Sequence, residues 1–245
     1  MPFSRTFGRF VCLIVKTDDM AKAPEYSRAE IPLFKVKVIE NLELSPGAFL
    51  ISWRHQAPFI PGQVVKVALD RLEPPRIYSV CSGNADDKMS ILFNIKEDGY
   101  LTPKLALAQP GDELLISNPY GSFHGDHTPA FWIATGTGLS PFYSMFQSGL
   151  SDHKLLIHGA RFLNQFYFED ELSWALGSNY IRCCSGETSD HVFSGRVTDY
   201  LLATNNFPTD YKYYLCGKSL MVVDVRDLLI SKGIPYDHIF AEIYF

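Results

Sequence analysis

Ala130-Phe131-Trp132-Ile133-Ala134-Thr135-Gly136-Thr137-Gly138-Leu139-Ser140-Pro141 decides how this chain folds. An unbroken run of five apolar residues reads as a strand buried on both faces, which is the mark of a parallel sheet. Two glycines then permit a tight turn, and a helix is predicted over Phe142 to Gln147. Strand, glycine turn and helix in that order open a doubly wound sheet, where backbone N–H groups and a helix N-terminus can meet a diphosphate. The turn has two glycines where the dinucleotide fingerprint has three, so alone it reads equally well as a plain strand-to-helix turn.

Toward the C-terminus the alternation continues. Strands are predicted at Lys154 to Arg161, Tyr180 to Cys184, Lys212 to Gly217 and Ile239 to Glu242. Helices fall around Phe168 to Ala175 and over Leu220 to Lys232, the latter with Ser219 as cap and Gly233 closing it. This half is an open parallel sheet of Rossmann-like type.

Toward the N-terminus the texture is different. Phe34 to Glu40 alternates apolar and polar, and further short strands are predicted at Ala48 to Trp53, after the Pro61-Gly62 turn to Leu69, around Arg76, at Met89 to Ile95 and at Glu113 to Ser117. Short strands at close spacing with turn signals read as a small antiparallel barrel. One short helix interrupts it, at Lys104 to Ala108, with Thr102 as N-cap and Pro103 at the first helical position. The expected organisation is an extension over 1–29, an antiparallel β-barrel domain over 30–127 and a parallel-sheet domain over 128–245.

Bulk numbers set bounds. A length of 245 residues holds one large domain or two ordinary ones, and 47% apolar with 20% charged residues is the composition of a globular protein with a substantial core. A net charge of −5 argues against a nucleic-acid partner. No apolar run reaches transmembrane length, so no membrane association is expected. Five cysteines, Cys12, Cys81, Cys183, Cys184 and Cys216, lack Cys-x-x-Cys spacing, which argues against a disulfide framework and a metal cluster and favours a reducing cytoplasm. Cys183 and Cys184 are adjacent on a strand, so one is expected in the core and neither in catalysis. His124-Gly125-Asp126-His127 reads as a surface loop rather than a metal site, and the expected metal complement is none.

Pro75-Arg76-Ile77-Tyr78-Ser79-Val80-Cys81-Ser82-Gly83 carries the chemistry. On a strand, Arg76 and Tyr78 point one way and Ile77 and Ser79 the other. A guanidinium fork suits a diphosphate, an aromatic plane suits a flat heterocycle, and a hydroxyl can serve a ring nitrogen. An ordinary barrel strand with a surface arginine is the competing reading.

From about Phe34 to Phe245, six motifs in order resemble the ferredoxin–NADP reductase family, bacterial type. They are Phe59-Ile60-Pro61-Gly62-Gln63, Arg76-Ile77-Tyr78-Ser79, Gly99-Tyr100-Leu101-Thr102, Gly136-Thr137-Gly138 with Pro141, Cys216-Gly217 with Met221, and Glu242-Ile243-Tyr244-Phe245. Pro119-Tyr120-Gly121 stands for the family's hinge without its first glycine, Asn118 being there. The resemblance implies FAD on the barrel, held by Arg76, Ile77, Tyr78, Ser79, Ile95, Lys96, Gly99, Leu101, Thr102, Tyr244 and Phe245, with Phe245 over the adenine. It implies NADP at Gly136, Thr137, Gly138, Arg161, Ser185, Arg196, Cys216 and Gly217. Ser79, Cys216, Glu242 and Tyr244 are the implied catalytic set, around hydride exchange between nicotinamide and flavin.

The family's arginine after the third strand is replaced by Gly186 in Ser185-Gly186-Glu187. Arg182 is a candidate to reach in instead, and Glu187 a candidate partner for an unphosphorylated ribose, so NAD stays possible. The implied partner is ferredoxin or flavodoxin, and a monomer is expected. An NADH-dependent, oxygenase-type reductase and a non-catalytic flavin- or nucleotide-binding electron-transfer subunit are the alternatives.

Overall fold

A computed structural model describes residues 31–55 and 57–244. The expected extension over 1–29 and the expected adenine cover at Phe245 lie outside the described residues.

Six strands form the first sheet: β1 Leu33–Ser45, β2 Ala48–Arg54, β3 Val64–Ala68, β4 Arg76–Ser79, β5 Lys88–Asn94 and β6 Glu113–Ser117. Their order is β4-β3-β6-β1-β2-β5, every pairing antiparallel. A bridge between Val80 and Ile91 joins the two ends and closes the barrel. β1 is long enough to serve two neighbours, pairing with β6 through Leu33 to Lys37 and with β2 from Val38 onward. Register shifts between Val38 and Glu40 and between Glu43 and Ser45 bend it around the barrel.

The inward set includes Val36, Val38, Ile51, Trp53, Val65, Val67, Ile91, Phe93, Leu114 and Ile116. They occupy alternate positions of their strands, though in β3, β5 and β6 several residues at the other positions are buried as well. Helix α1, Thr102–Ala106, seats Leu105 in this core, with Leu101 beside it. The C-terminal carbonyls of α1 are satisfied by Asn41, whose Nδ2 donates to Leu105 O at 2.9 Å and Ala106 O at 3.3 Å, and also to Ala108 O just beyond the helix at 3.0 Å.

Thr102 corrects the sequence expectation. It is already helical, Leu101 holds the cap position, and the helix begins and ends two residues earlier than expected. The hydroxyl of Thr102 instead accepts the Lys96 N–H at 2.8 Å, which ties the preceding turn to the helix start.

The second sheet is fully parallel, in the order β10-β9-β8-β7-β11-β12. Its strands are β7 Ala130–Thr135, β8 Lys154–Ala160, β9 Tyr180–Cys184, β10 Phe193–Ser194, β11 Lys212–Lys218 and β12 Ile239–Tyr244. Helices α2 Ser140–Gln147, α3 Glu169–Leu176, α4 Val197–Ala203 and α5 Ser219–Ser231 connect them. Lys218, not Ser219, holds the cap position of α5, and Gly233 closes it at φ +90°. The sequence pattern showed neither β10, which is two residues long, nor α4.

Both faces of this sheet are covered, so β7 is buried along Ala130 to Ala134. For the same reason Cys183 and Cys184 are both buried, where alternation alone put only one in the core. Chain order reverses between β7 and β11, and the ligand crevice of such sheets opens at the carboxyl ends of the strands flanking that point. A shared core of Ala48, Cys81 and Leu92 from the barrel with Trp132, Leu139 and Phe142 packs the two sheets together. Ser144 adds a 2.7 Å hydrogen bond to Ser82 O across the same boundary. Among the described residues, no helix is long and apolar enough to cross a membrane.

Candidate functional site

A cleft of about 950 Å³ lies between the barrel and the carboxyl edge of the parallel sheet. Arg76, Ile77 and Tyr78 of β4 line it on the barrel side, together with Leu92, Phe93 and Asn94 of β5. Lys96, Gly99, Tyr100, Leu101 and Thr102 line one end, and Thr137, Glu242, Ile243 and Tyr244 line the sheet side. The volume is that of a large-ligand site.

The turn at Lys96 is pre-formed. Gly99 N donates to Lys96 O at 2.7 Å, and a Cβ on Gly99 would stand 2.9 Å from that oxygen. Lys96 and Arg76 bring two cations to this cleft. Tyr78 is half-buried and edge-on to Phe93 at 6.4 Å. Burial pushes its phenol up to about 12, against the pull of Arg76, so it presents a neutral aromatic face at working pH.

Ser79 is buried beside the cleft rather than in its wall, and it joins the two halves of the site. Its Oγ donates to Glu242 Oε2 at 2.7 Å and accepts from Tyr244 OH at 2.7 Å. The hydroxyl is thus used both as donor and as acceptor. Cys216 Sγ lies 4.0 Å from the same Glu242 oxygen. Burial raises the Glu242 carboxyl, and the Ser79 hydrogen bond offsets part of that rise. Burial, together with the Glu242 charge, raises Cys216 and Tyr244 well above their ordinary values. Both stay protonated near neutrality, so Cys216 is a neutral packing and donor group, not a thiolate nucleophile. All four residues expected to be catalytic therefore meet at one place.

The glycine turn sits at the carboxyl end of β7. Gly136 has φ +56° and open space where a Cβ would stand. Gly138 is the opposite case: a Cβ there would fall 2.4 Å from Cys216 O, so only glycine lets the turn pack on the end of β11. Gly217, at φ +144°, brings its Cα side against Thr135, whose Oγ1 is buried without a partner among the described residues. A cradle of glycines with an orphaned buried hydroxyl at its mouth fits a polar ligand.

Arg161, Ser185 and Arg196 are exposed beyond the same edge, following β8, β9 and β10. The Arg161 guanidinium lies over the Phe162 ring at 5.2 Å. One expectation fails here. Arg182 does not reach toward the crevice, because it is ion-paired with Glu169 and donates to His191 O at 3.0 Å. Glu187 accepts the Leu163 N–H through Oε2 at 2.6 Å and is exposed. Gly186 has a physical reason, since a Cβ at that position would stand 2.5 Å from the Arg161 carbonyl oxygen.

Ile95 is half-buried and outside the cleft wall, its N–H bound to Gly47 O at 2.8 Å. The sequence reading missed Phe93, Asn94, Tyr100 and Ile243 as cleft residues. Tyr100 is held by Asp70, whose Oδ2 accepts its hydroxyl at 2.9 Å, and by Lys104 Nζ at 3.6 Å over its ring. Its place inside the Gly99 turn was the available signal.

The loop at His124 is committed to structure. His124 Nε2 lies 2.7 Å from Gly121 O, and Asp126 is ion-paired with Lys212. Burial opposes ionisation of Asp126, but Lys212 and the Thr128 donors prevail and hold it at about 2.

With this geometry established, likeness to known proteins is informative. The family described as Oxidoreductase NAD-binding domain matches residues 132–227. The chain is 29% identical over 238 residues to ferredoxin–NADP reductase B of Sorangium cellulosum, covering 86% of this chain and 97% of that protein. It is 28% identical over 199 residues to the toluate 1,2-dioxygenase electron transfer component of Pseudomonas putida, covering 77% of this chain and 59% of that one. The ferredoxin NADP+ reductase of Neisseria gonorrhoeae, solved with FAD and NADP, shares the fold with a TM-score of 0.78 at 23% identity, covering 88% of this chain and 100% of that one. The barrel and the parallel sheet agree with that solved fold, and in sequence the chain is similar to ferredoxin–NADP reductases and to the electron transfer component of an oxygenase.

Proposed function

We propose that this chain is an FAD-dependent ferredoxin–NADP reductase, exchanging hydride between NADP(H) and flavin and passing electrons singly to ferredoxin or flavodoxin. The observation that carries the reading is one cleft lined by both Tyr78 of β4 and Tyr244 of β12, with Ser79 hydrogen-bonded to both Tyr244 and Glu242 beside it. Flavin would sit on the barrel domain, residues 30–127, and the nucleotide on residues 128–245.

When bound, the flavin supplies a ring nitrogen that accepts hydride and an electronic system that returns electrons one at a time. The residues do the rest. Arg76 and the Lys96–Thr102 turn hold diphosphate, with Ile77, Gly99 and Leu101 shaping the approach. Tyr78 supports the ring plane, and Tyr244 covers the opposite side until a nicotinamide takes its place. Gly136, Thr137, Gly138 and Gly217 let the second nucleotide approach closely, and Arg161, Ser185 and Arg196 face its phosphate. Ser79, Glu242 and Cys216 hold polar hydrogens in a fixed arrangement beside the reacting rings, so that alignment costs little during transfer. Cysteines that are all free among the described residues support a cytoplasmic setting, and the proposed state is a monomer.

An NADH-dependent, oxygenase-type reductase is the second reading, favoured by Gly186 and by the occupied Arg182. The test is the visible spectrum of the purified chain. A yellow preparation bleached anaerobically by NADPH supports the proposal, and a colourless one overturns it. A kcat/KM about tenfold higher with NADH moves the assignment to the second reading.

A further inference from the structure

Tyr120, which no part of the proposed mechanism uses, stands in the same cross-strand row as Ser79. Its backbone is locked to Val64 by reciprocal hydrogen bonds, Val64 N to Tyr120 O at 2.8 Å and Tyr120 N to Val64 O at 2.9 Å. Val64 in turn is the cross-strand partner of Ser79. Directly opposed residues of antiparallel strands project to the same face, so Tyr120, Val64 and Ser79 share one. That face is the one on which Ser79 Oγ bonds Glu242, and Val64 is part of the cleft wall. The Tyr120 hydroxyl is buried there and has no hydrogen-bond partner among the described residues.

A buried hydroxyl without a partner is costly, and its persistence beside a buried carboxylate calls for a reason. Glu242 accepts a hydrogen bond from Ser79 of β4 and lies 4.0 Å from Cys216 Sγ of β11; Tyr244 follows two residues on along its own strand, and Tyr120, in the segment after β6, lies in the row of Ser79. Among the described residues no lysine or arginine ion-pairs with it. With no cation present, dipolar O–H groups are what can stabilise its ionised form. The charge of Glu242 acts on Tyr120 in return, adding to the rise that burial causes in the phenol.

We propose that Tyr120 is a positioning residue for Glu242, its hydroxyl turning toward the carboxylate directly or through one water when Glu242 ionises, and so setting the pH at which Glu242 gives up its proton. The inference rests on the reductase reading only for its kinetic consequence; the link between Tyr120 and Glu242 is a property of the protein alone.

The test is a pH titration of the protonated carboxyl stretch by infrared spectroscopy on the full chain as purified, with Glu242→Gln identifying the band. Tyr120→Phe should raise the midpoint of that band by about 1 pH unit, the effect of losing one hydrogen bond to a charged group. Tyr120→Met removes the same hydroxyl and should shift it in the same direction, giving a second reading should the phenylalanine variant fold poorly. A midpoint unchanged in both variants overturns the proposal. The bleaching spectrum tests the reductase reading separately: a yellow, bleachable protein with an unmoved midpoint sinks only the role of Tyr120. A colourless protein with a shifted midpoint sinks only the reductase reading.

Discussion

Tyr244 donates a 2.7 Å hydrogen bond to Ser79, a residue 165 positions earlier in the chain. The bond connects the last strand of the parallel sheet with the strand of the barrel that carries Arg76 and Tyr78. Through Ser79 it continues to Glu242, so one hydroxyl holds both C-terminal side chains in register with the cleft. A site assembled from both halves of a chain responds to changes in either half.

Removing the carboxylate charge tests this arrangement most directly. Glu242→Gln keeps the shape but turns a hydrogen-bond acceptor into a mixed group, and hydride transfer from NADPH should slow about a hundredfold. Stopped-flow bleaching of the flavin band measures it, and a rate within twofold of the parent contradicts the role given to Glu242.

Stability should depend on pH through the same residue. The folded pKa of Glu242 is raised above its ordinary value, chiefly by burial. Between the unfolded and folded values the native state keeps a proton that the unfolded chain has lost, so stability is lost as pH rises through that window. Glu242→Gln should flatten this part of the curve, as read by urea midpoints across the weakly acidic range.

The two glycines of the turn should differ in cost. Gly138→Ala forces a Cβ to within 2.4 Å of Cys216 O, a clash that costs about 2 kcal/mol or more and displaces the end of β11. Gly136→Ala meets nothing within 4 Å and suffers only the left-handed backbone, about 1 kcal/mol. Thermal unfolding of the two variants should rank them in that order.

Nucleotide preference should follow the exposed arginines. Arg161→Ala and Arg196→Ala should each raise KM for NADPH about fivefold, leave NADH nearly unaffected, and lose their effect at high salt. Gly186→Arg should destabilise the turn rather than improve NADPH binding, because its Cβ meets the Arg161 carbonyl oxygen at 2.5 Å. Steady-state kinetics with both nucleotides, beside unfolding curves, distinguish these outcomes.

Much of the fold could be read in advance where burial repeats with a period. Val36 and Val38 alternate with exposed neighbours along β1, and Ala130 to Ala134 is apolar without a break, as a strand covered on both faces requires. β10 and α4 escaped because two residues show no period and a seven-residue helix with two buried positions shows little. Thr102 and Ser219 were read as caps from their side chains, but capping depends on backbone angles that the neighbours impose.

The candidate site divides in the same way. The sequence by itself determined which residue types are available: a guanidinium and a ring two residues apart at Arg76 and Tyr78, paired glycines at Gly136 and Gly138, a carboxylate and an aromatic at Glu242 and Tyr244. Only the tertiary structure decided which of them meet. It brought Ser79 between Glu242 and Tyr244, gave Arg182 to Glu169, turned Glu187 onto a backbone N–H, and placed Tyr120 in the row of Ser79. Such partnerships form between strands distant in the chain, and side-chain chemistry specifies what a group can bond but not which of several candidates the packed backbone delivers within about 3 Å.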